Sequence, residues 1–384
     1  MSRLPLLAVG VALVLGGCST LDKLNPFTPE PKIKPAALET FTPVVELGVD
    51  WQASIGSSGE ATFVPAVVDD NVFAADAAGD VVRLEDGKQI WRIAAGQRLS
   101  AGVGADDKVV VVATAKGEVL AFSADDGSSL WKVQVSSEVL AAPTVMGDLV
   151  IVRTGDSRIH GLNASDGKRR WTYQRSAPSL SLRKSVGVLA AHGVVVAGMP
   201  GGKLVAINAA NGAAVWEVTV AQPKGSTELE RVADISSLPV IADRQICAVA
   251  FQGRLACFDP ASATLLWGQE ISSSAGLDAD AKAVYVSGDK GQVSAFERDS
   301  GLQRWTQAKL ALRRLSRPLV VGKFVAIGDY QGYVHLLKTE DGALAGRIAT
   351  DGSEIVADPI LLPGGRFLVQ TRAGGLFALS AHGT

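Results

Sequence analysis

Residues 117–131 read GEVLAFSADDGSSLW, and versions of this stretch return down nearly the whole chain at a nearly fixed interval. Residues 202–216 read GKLVAINAANGAAVW, 253–267 read GRLACFDPASATLLW and 291–305 read GQVSAFERDSGLQRW, each placing Trp fourteen positions after the opening Gly. Residues 157–171 keep the spacing with Ser157 in place of Gly, and residues 79–91 are two residues shorter. Residues 332–346 keep the frame with Gly346 where Trp would stand. An eighth start, GGLFAL from Gly374, runs out at the C-terminus before any Trp can follow, whereas Trp51 in LGVDWQAS has no start before it. Eight starts therefore face seven tryptophans and one replacement, and the two ends complete each other.

Within the frame, VLAF is an apolar β-run, ADDG is a turn in which Gly127 can take positive φ, and SLWKVQV is the returning strand. Two more runs precede each motif, as AAPTVMG and DLVIVRT do before Ser157, joined at Gly147-Asp148. Four short antiparallel strands in roughly 40 residues is the period of a propeller blade, and no 3.6-residue helical period competes with it. The expected fold is all-β: an eight-bladed β-propeller of four-stranded antiparallel blades spanning residues 44–384 as one domain. A ring removes its sheet edges only when closed, so the strand carrying Trp51 should supply the outer strand of the C-terminal blade. Trp51, Trp91, Trp131, Trp171, Trp216, Trp267 and Trp305 recur in equivalent places and should pack between neighbouring blades as a structural girdle.

Residues 1–17 have the form of a signal peptide, with Arg3 ahead of an apolar run over 4–15 that falls short of the roughly 20 residues needed to span a bilayer. The run ends on Leu15-Gly16-Gly17-Cys18, which resembles a bacterial lipobox and implies cleavage before Cys18 and lipidation of its thiol. Ser19 rather than Asp after that cysteine resembles the sorting signal for the outer membrane, so the protein is expected to be lipid-anchored there and to face the periplasm. Residues 18–43 carry Pro26, Pro29, Pro31, Pro35 and Pro43 and read as an extended tether, with Phe27 and Phe41 alone suited to packing on the ring.

Charge and chemistry narrow the function. With 37 Lys and Arg against 39 Asp and Glu, and a sequence pI of about 6.1, the chain has no global basic excess for nucleic acid. Cys247 and Cys257 flank the Gln252-Gly253 hairpin and are either a disulfide in an oxidising compartment or two small buried hydrophobes. His160, His192, His335 and His382 fall in different repeats with no ligand spacing, so no metal is expected. GxSxG, HExxH and P-loop motifs are absent, and Asp125, Asp126, Asp166, Asp299 and Asp341 sit beside repeat glycines as turn residues. Neither a catalytic residue nor a cofactor is expected.

The connectors carry the remaining signal. Trp91 to Gly117 and Trp131 to Ser157 each span 26 positions, but Trp171 to Gly202 spans 31 and Trp216 to Gly253 spans 37. These two enlarged connectors join consecutive blades on one face, so they are neighbours in space and form one candidate partner-binding patch. In residues 178–183, PSLSLR, Leu180 and Leu182 alternate with serines and point the same way in an extended loop, with Arg183 beside them. Asp234, in ELERVADISSLP over 228–239, would orient that guanidinium or meet a basic group on the partner. The alternative is that both leucines tuck under their own loop.

The frame A-F/I-x-x-x-x-G-x-x-x-W resembles the tryptophan-docking repeat of quinoprotein propellers over about residues 44–384. Two classes share it: the periplasmic pyrroloquinoline-quinone dehydrogenases and the BamB family of lipoproteins of the outer-membrane β-barrel assembly machinery. The dehydrogenases are much longer and place two adjacent cysteines under the quinone, whereas Cys247 and Cys257 are ten apart and no calcium-binding set of acids and amides is assembled. Lipobox, length, eight starts and residues 178–183 and 228–239 resemble the BamB family. That resemblance implies a non-catalytic scaffold that binds BamA through a POTRA domain, beside the other Bam subunits, and assists insertion of nascent outer-membrane proteins. It also implies that Leu180, Leu182, Arg183 and Asp234 match the family's BamA-binding positions, with Ser236 where the family has a second acid. A quinone-dependent dehydrogenase or degenerate relative, and a propeller that binds cell-wall polysaccharide, are the competing readings.

Overall fold

Runs such as Val109–Ala113, in which every residue is apolar and buried, require cover on both sheet faces, and the chain supplies it by stacking small sheets face to face. The structure, a computed structural model, describes residues 34–176, 178–184 and 186–383. Eight four-stranded antiparallel sheets form. Blades 1 to 7 each use four consecutive strands, from Ala66–Val68 in blade 1 to Leu344–Ala349 in blade 7. Blade 8 takes Ile360–Leu361, Phe367–Gln370 and Gly375–Gly383 from the C-terminal end and closes with Val45–Ser54 from the N-terminal end. Its seam runs from Val45 opposite Gly383 to Ser54 opposite Gly375. The eight blades and the closure expected from the repeat offset are both present. First strands of neighbouring blades lie against one another near the axis, and their connections line a central cavity of about 520 Å³.

One device recurs in every outer strand. A β-bulge falls on the residue before the Trp position, at Ile90, Leu130, Arg170, Val215, Leu266, Arg304, Ala345 and Asp50. Bulges sharpen the local twist, and here the side chain that follows turns toward the next blade. Six indoles donate from Nε1 to a backbone carbonyl of that blade: Trp91 to Ala124, Trp131 to Ala164, Trp171 to Ala209, Trp216 to Pro260, Trp267 to Arg298 and Trp305 to Thr339, at 2.6–3.1 Å. Turn glycines lie flat on the rings; a Cβ at Gly167, where φ is +70°, would stand 2.6 Å from the Trp131 indole, and Gly87 lies the same way on Trp51. In blade 5 the residue ten positions after the opening Gly is Ala263, held at φ 57°. A left-handed non-glycine residue costs about 1–2 kcal/mol, partly offset by its smaller unfolded-state entropy. Ala263→Gly should therefore stabilise the ring by roughly 0.5–1 kcal/mol, read as a higher melting temperature; a fall would show the strain is absent.

The missing eighth tryptophan has a physical cause. A Cβ on Gly346 would stand 2.9 Å from the carbonyl oxygen of Val45, because the N-terminal strand enters the ring across that spot. Val44 N donates to Ala345 O just before, and Ala36 N to Ala311 O, both at 2.9 Å. Residues 35–43, read above as tether, are thus laid along blade 7, with Leu38 against its core cluster and the Arg347 guanidinium 5.0 Å above the Phe41 ring. Cys18, Phe27 and the signal sequence lie outside the described residues. Cys247 and Cys257 face each other in register on the second and third strands of blade 5 and are disulfide-bonded, which decides between the two alternatives.

Candidate functional site

Blade 3 ends at Gln174 and blade 4 begins at Leu189; blade 4 ends at Thr219 and blade 5 begins at Val240. Two long connectors therefore meet on one face, and Asp234 stitches them. Its side chain is 4% exposed. One carboxylate oxygen accepts from Leu182 N at 2.6 Å and the other from Gly201 N at 2.9 Å. Its own carbonyl accepts from Phe251 N at 2.8 Å, so one short acid ties the first connector to the hairpin turns of blades 4 and 5. Backbone donors repay much of the cost of burying the charge.

Arg183 consequently has a different partner from the one the sequence suggested. Its Nε and Nη2 donate to the two oxygens of Glu138 at 3.0 and 2.5 Å, and this guanidinium holds the Glu138 carboxyl below the usual range. Leu180 is exposed, while Leu182 is half-buried and lines a cleft beneath the connector, so the two leucines do not form one exposed pair. Ser236 is buried with its hydroxyl unpartnered among the described residues.

Leu229 is the residue the sequence reading missed. It is 72% exposed on the second connector, where Thr227 and Glu230 form a capping box. Glu230 accepts from Ser226 N and Thr227 N at 2.8 and 3.0 Å, and Thr227 Oγ1 accepts from Glu230 N at 3.2 Å. The T-x-x-E spacing of residues 227–230 was the available signal.

Charges at the mouth of the central cavity are largely internally matched. Arg314 and Arg372 both pair with Glu354, at 3.5 and 3.0 Å, and Arg317 approaches Asp358 at 3.7 Å. Burial raises the carboxyl pKa of Asp358. Among the described residues no three His, Cys, Asp or Glu side chains gather as metal ligands would, and no helix is long and apolar enough to cross a membrane.

The stacked blades, indole girdle and laced connectors define a quinoprotein-repeat propeller with two long connectors tied together on one face. A family model described as outer membrane protein assembly factor BamB matches residues 77–307 and 290–384. The chain is 40% identical over 373 residues to the outer membrane protein assembly factor BamB of Bordetella pertussis, covering 96% of this chain and 95% of that protein. The crystal structure of BamB from Moraxella catarrhalis aligns with a TM-score of 0.81 at 29% identity, over 87% of this chain and 99% of that one. This chain belongs to the BamB family. A quinohemoprotein alcohol dehydrogenase from Comamonas testosteroni aligns with a TM-score of 0.69 at 13% identity, over 87% of this chain and 76% of that one, and shares the fold alone. A quinone does not fit the residues here: both cysteines are fully buried inside blade 5 and already bonded, away from the central cavity. The BamB relatives are named as assembly factors rather than as enzymes.

Proposed function

We propose that this protein is a non-catalytic scaffold of outer-membrane β-barrel assembly, anchored by lipid on Cys18, facing the periplasm and binding BamA through its POTRA region. The observation that carries the reading is the pair of connectors sewn together by Asp234, which hold Leu180 and Arg183 at the surface of a rigid ring. Binding residues on loops fixed to a stiff scaffold lose little entropy on docking. An apolar side chain beside an arginine is also the usual composition of an interaction hot spot. Asp234 acts here from within, by fixing the backbone at Leu182, rather than as a contact residue. The Bam complex and nascent outer-membrane proteins are the setting in which such a scaffold works.

The test is capture of BamA by the full chain from detergent-solubilised membranes. Hot-spot truncations cost roughly 1–4 kcal/mol. Leu180→Ala combined with Arg183→Ala should therefore abolish capture while leaving the melting temperature nearly unchanged, since both side chains are exposed. Capture equal to the parent's would move the interface to another face.

A further inference from the structure

Arg153 closes the second strand of blade 3, Leu149–Arg153, and it breaks the pattern of the repeat. The equivalent register position is Ala75, Ala113, Gly198, Val249, Ser287 or Gly328 in six other blades, with Gln370 the one other long side chain. A guanidinium has thus been placed where most blades need a small residue. It is also underemployed: among the described residues its one hydrogen bond is a long one, from Nη1 to Val186 O at 3.5 Å, and no carboxylate pairs with it. Asp234, whose charge acts on it, spends both oxygens on Leu182 N and Gly201 N. Burial pulls the Arg153 pKa down to about 10, as expected for a charge with little compensation.

The guanidinium lines a cleft of about 260 Å³ beneath the first connector, walled by Leu140 and Leu182 and rimmed by Arg183, Lys184 and Ser181. Glu138, the one acid on that wall, is engaged by Arg183. The cleft therefore offers a planar fork of donors that makes one long hydrogen bond, between apolar sides, while the charges of Arg183 and Lys184 are taken up by Glu138 and by the Ser274 carbonyl. A carboxylate accepts such a fork through two parallel hydrogen bonds. The apolar walls suit the methylene stem of a glutamate or aspartate better than a free small anion, and the cleft lies under the same connector that presents Leu180.

We propose that this cleft is a socket for an acidic side chain carried by the protein partner of the connector face, with Arg153 at its base. The inference rests on reading that face as the docking surface, and the experiment separates the two. In the BamA capture assay, Arg153→Gln should lower capture at least tenfold while its melting temperature stays near the parent's or above it, because a half-buried charge with one long hydrogen bond has been removed. A residue serving only the fold would lower the melting temperature instead. Should Arg153→Gln fail to fold, exposed Ser181 on the rim decides: Ser181→Glu places a competing carboxylate over the socket and should lose capture tenfold, whereas Ser181→Gln of similar shape should not. Parental capture by both Ser181 variants, or equal loss by both, overturns the socket. If Arg153→Gln captures like the parent while the Leu180 and Arg183 double variant does not, the socket is wrong and the docking surface stands. Parental capture by the double variant would overturn the docking surface itself.

Discussion

A chain lacking residues 44–55 should aggregate, or melt over a broad range where the parent melts in one cooperative step. That segment is the outer strand of the last blade, paired to Gly375–Gly383 along its length. It also carries Val45 and Ile55 into two separate core clusters, at 3% and 4% exposure, and sets Trp51 against Gly87 of blade 1. Each fully buried aliphatic or aromatic side chain is worth roughly 1.5–3 kcal/mol, so the loss is on the order of 5 kcal/mol before any edge effect, against a typical domain stability of about 5–15 kcal/mol. The exposed edge adds a second hazard: the strand Gly375–Gly383 would present its backbone donors and acceptors to other chains. Circular dichroism melting and size-exclusion chromatography read both effects. A deletion variant as sharp in its melt and as monodisperse as the parent would mean the ring does not depend on this seam.

That seam was legible because it is a counting argument. A frame repeated at fixed spacing with a start left over at one end and a tryptophan left over at the other has one economical solution, and the observed register puts Trp51 opposite Ala378 as it puts Trp131 opposite Ala121. The bulge before each tryptophan was not legible, because nothing in the residue types at those positions, from Ile90 to Arg170 to Asp50, is shared. Contacts between distant repeats were harder still. Asp234 and Arg183 were placed in one neighbourhood, which the structure supports, but their partners were decided by where two backbone N–H groups and Glu138 happen to arrive. Arg153 left a trace in the repeat, a long cation at a small-residue position, and that trace becomes visible only once register assigns equivalent positions. The docking of residues 35–43 left one, Phe41, while the prolines and the alanine pair suit a tether as well as a strap.

The groups that hold this strap carry the second large effect: Asp329→Ala should cost about 3–5 kcal/mol, the usual consequence of stranding one partner of a buried ion pair. Asp329 is fully buried; one oxygen accepts from Arg313 Nε at 2.7 Å and His335 Nε2 at 3.0 Å, the other from Gln331 N and Tyr333 N at 2.8 and 3.1 Å. Arg313, 2% exposed, passes a further bond to Ala36 O at 3.0 Å. His335 Nδ1 accepts from Arg347 Nε at 3.1 Å, and Arg347 donates on to Glu39 O at 3.0 Å. Removing the carboxylate leaves Arg313 charged and buried, and loosens both carbonyls by which the strap is held. Amide hydrogen exchange over residues 36–41 should rise together with the fall in melting temperature.

The same network sets a pH dependence. Burial is the largest influence on His335 and keeps it neutral, in agreement with a ring nitrogen that accepts from an arginine. Burial works against the charge on Asp329, but the hydrogen bond from His335 leads the opposing interactions, joined by those from Tyr333 N and Arg313, and leaves its carboxyl below the ordinary range. Both groups bind protons more readily in the unfolded chain, so stability rises with pH wherever they titrate. It should be fully present at pH 7, begin to fall below the ordinary histidine value of 6.5, and fall further as Asp329 is protonated in strong acid. His160, also kept neutral chiefly by burial, adds to the first part of that slope, so His335→Gln should flatten it only in part. A melting temperature for Asp329→Ala within a degree or two of the parent's, with exchange over the strap unchanged, would show that the strap and blade 7 are held by something else.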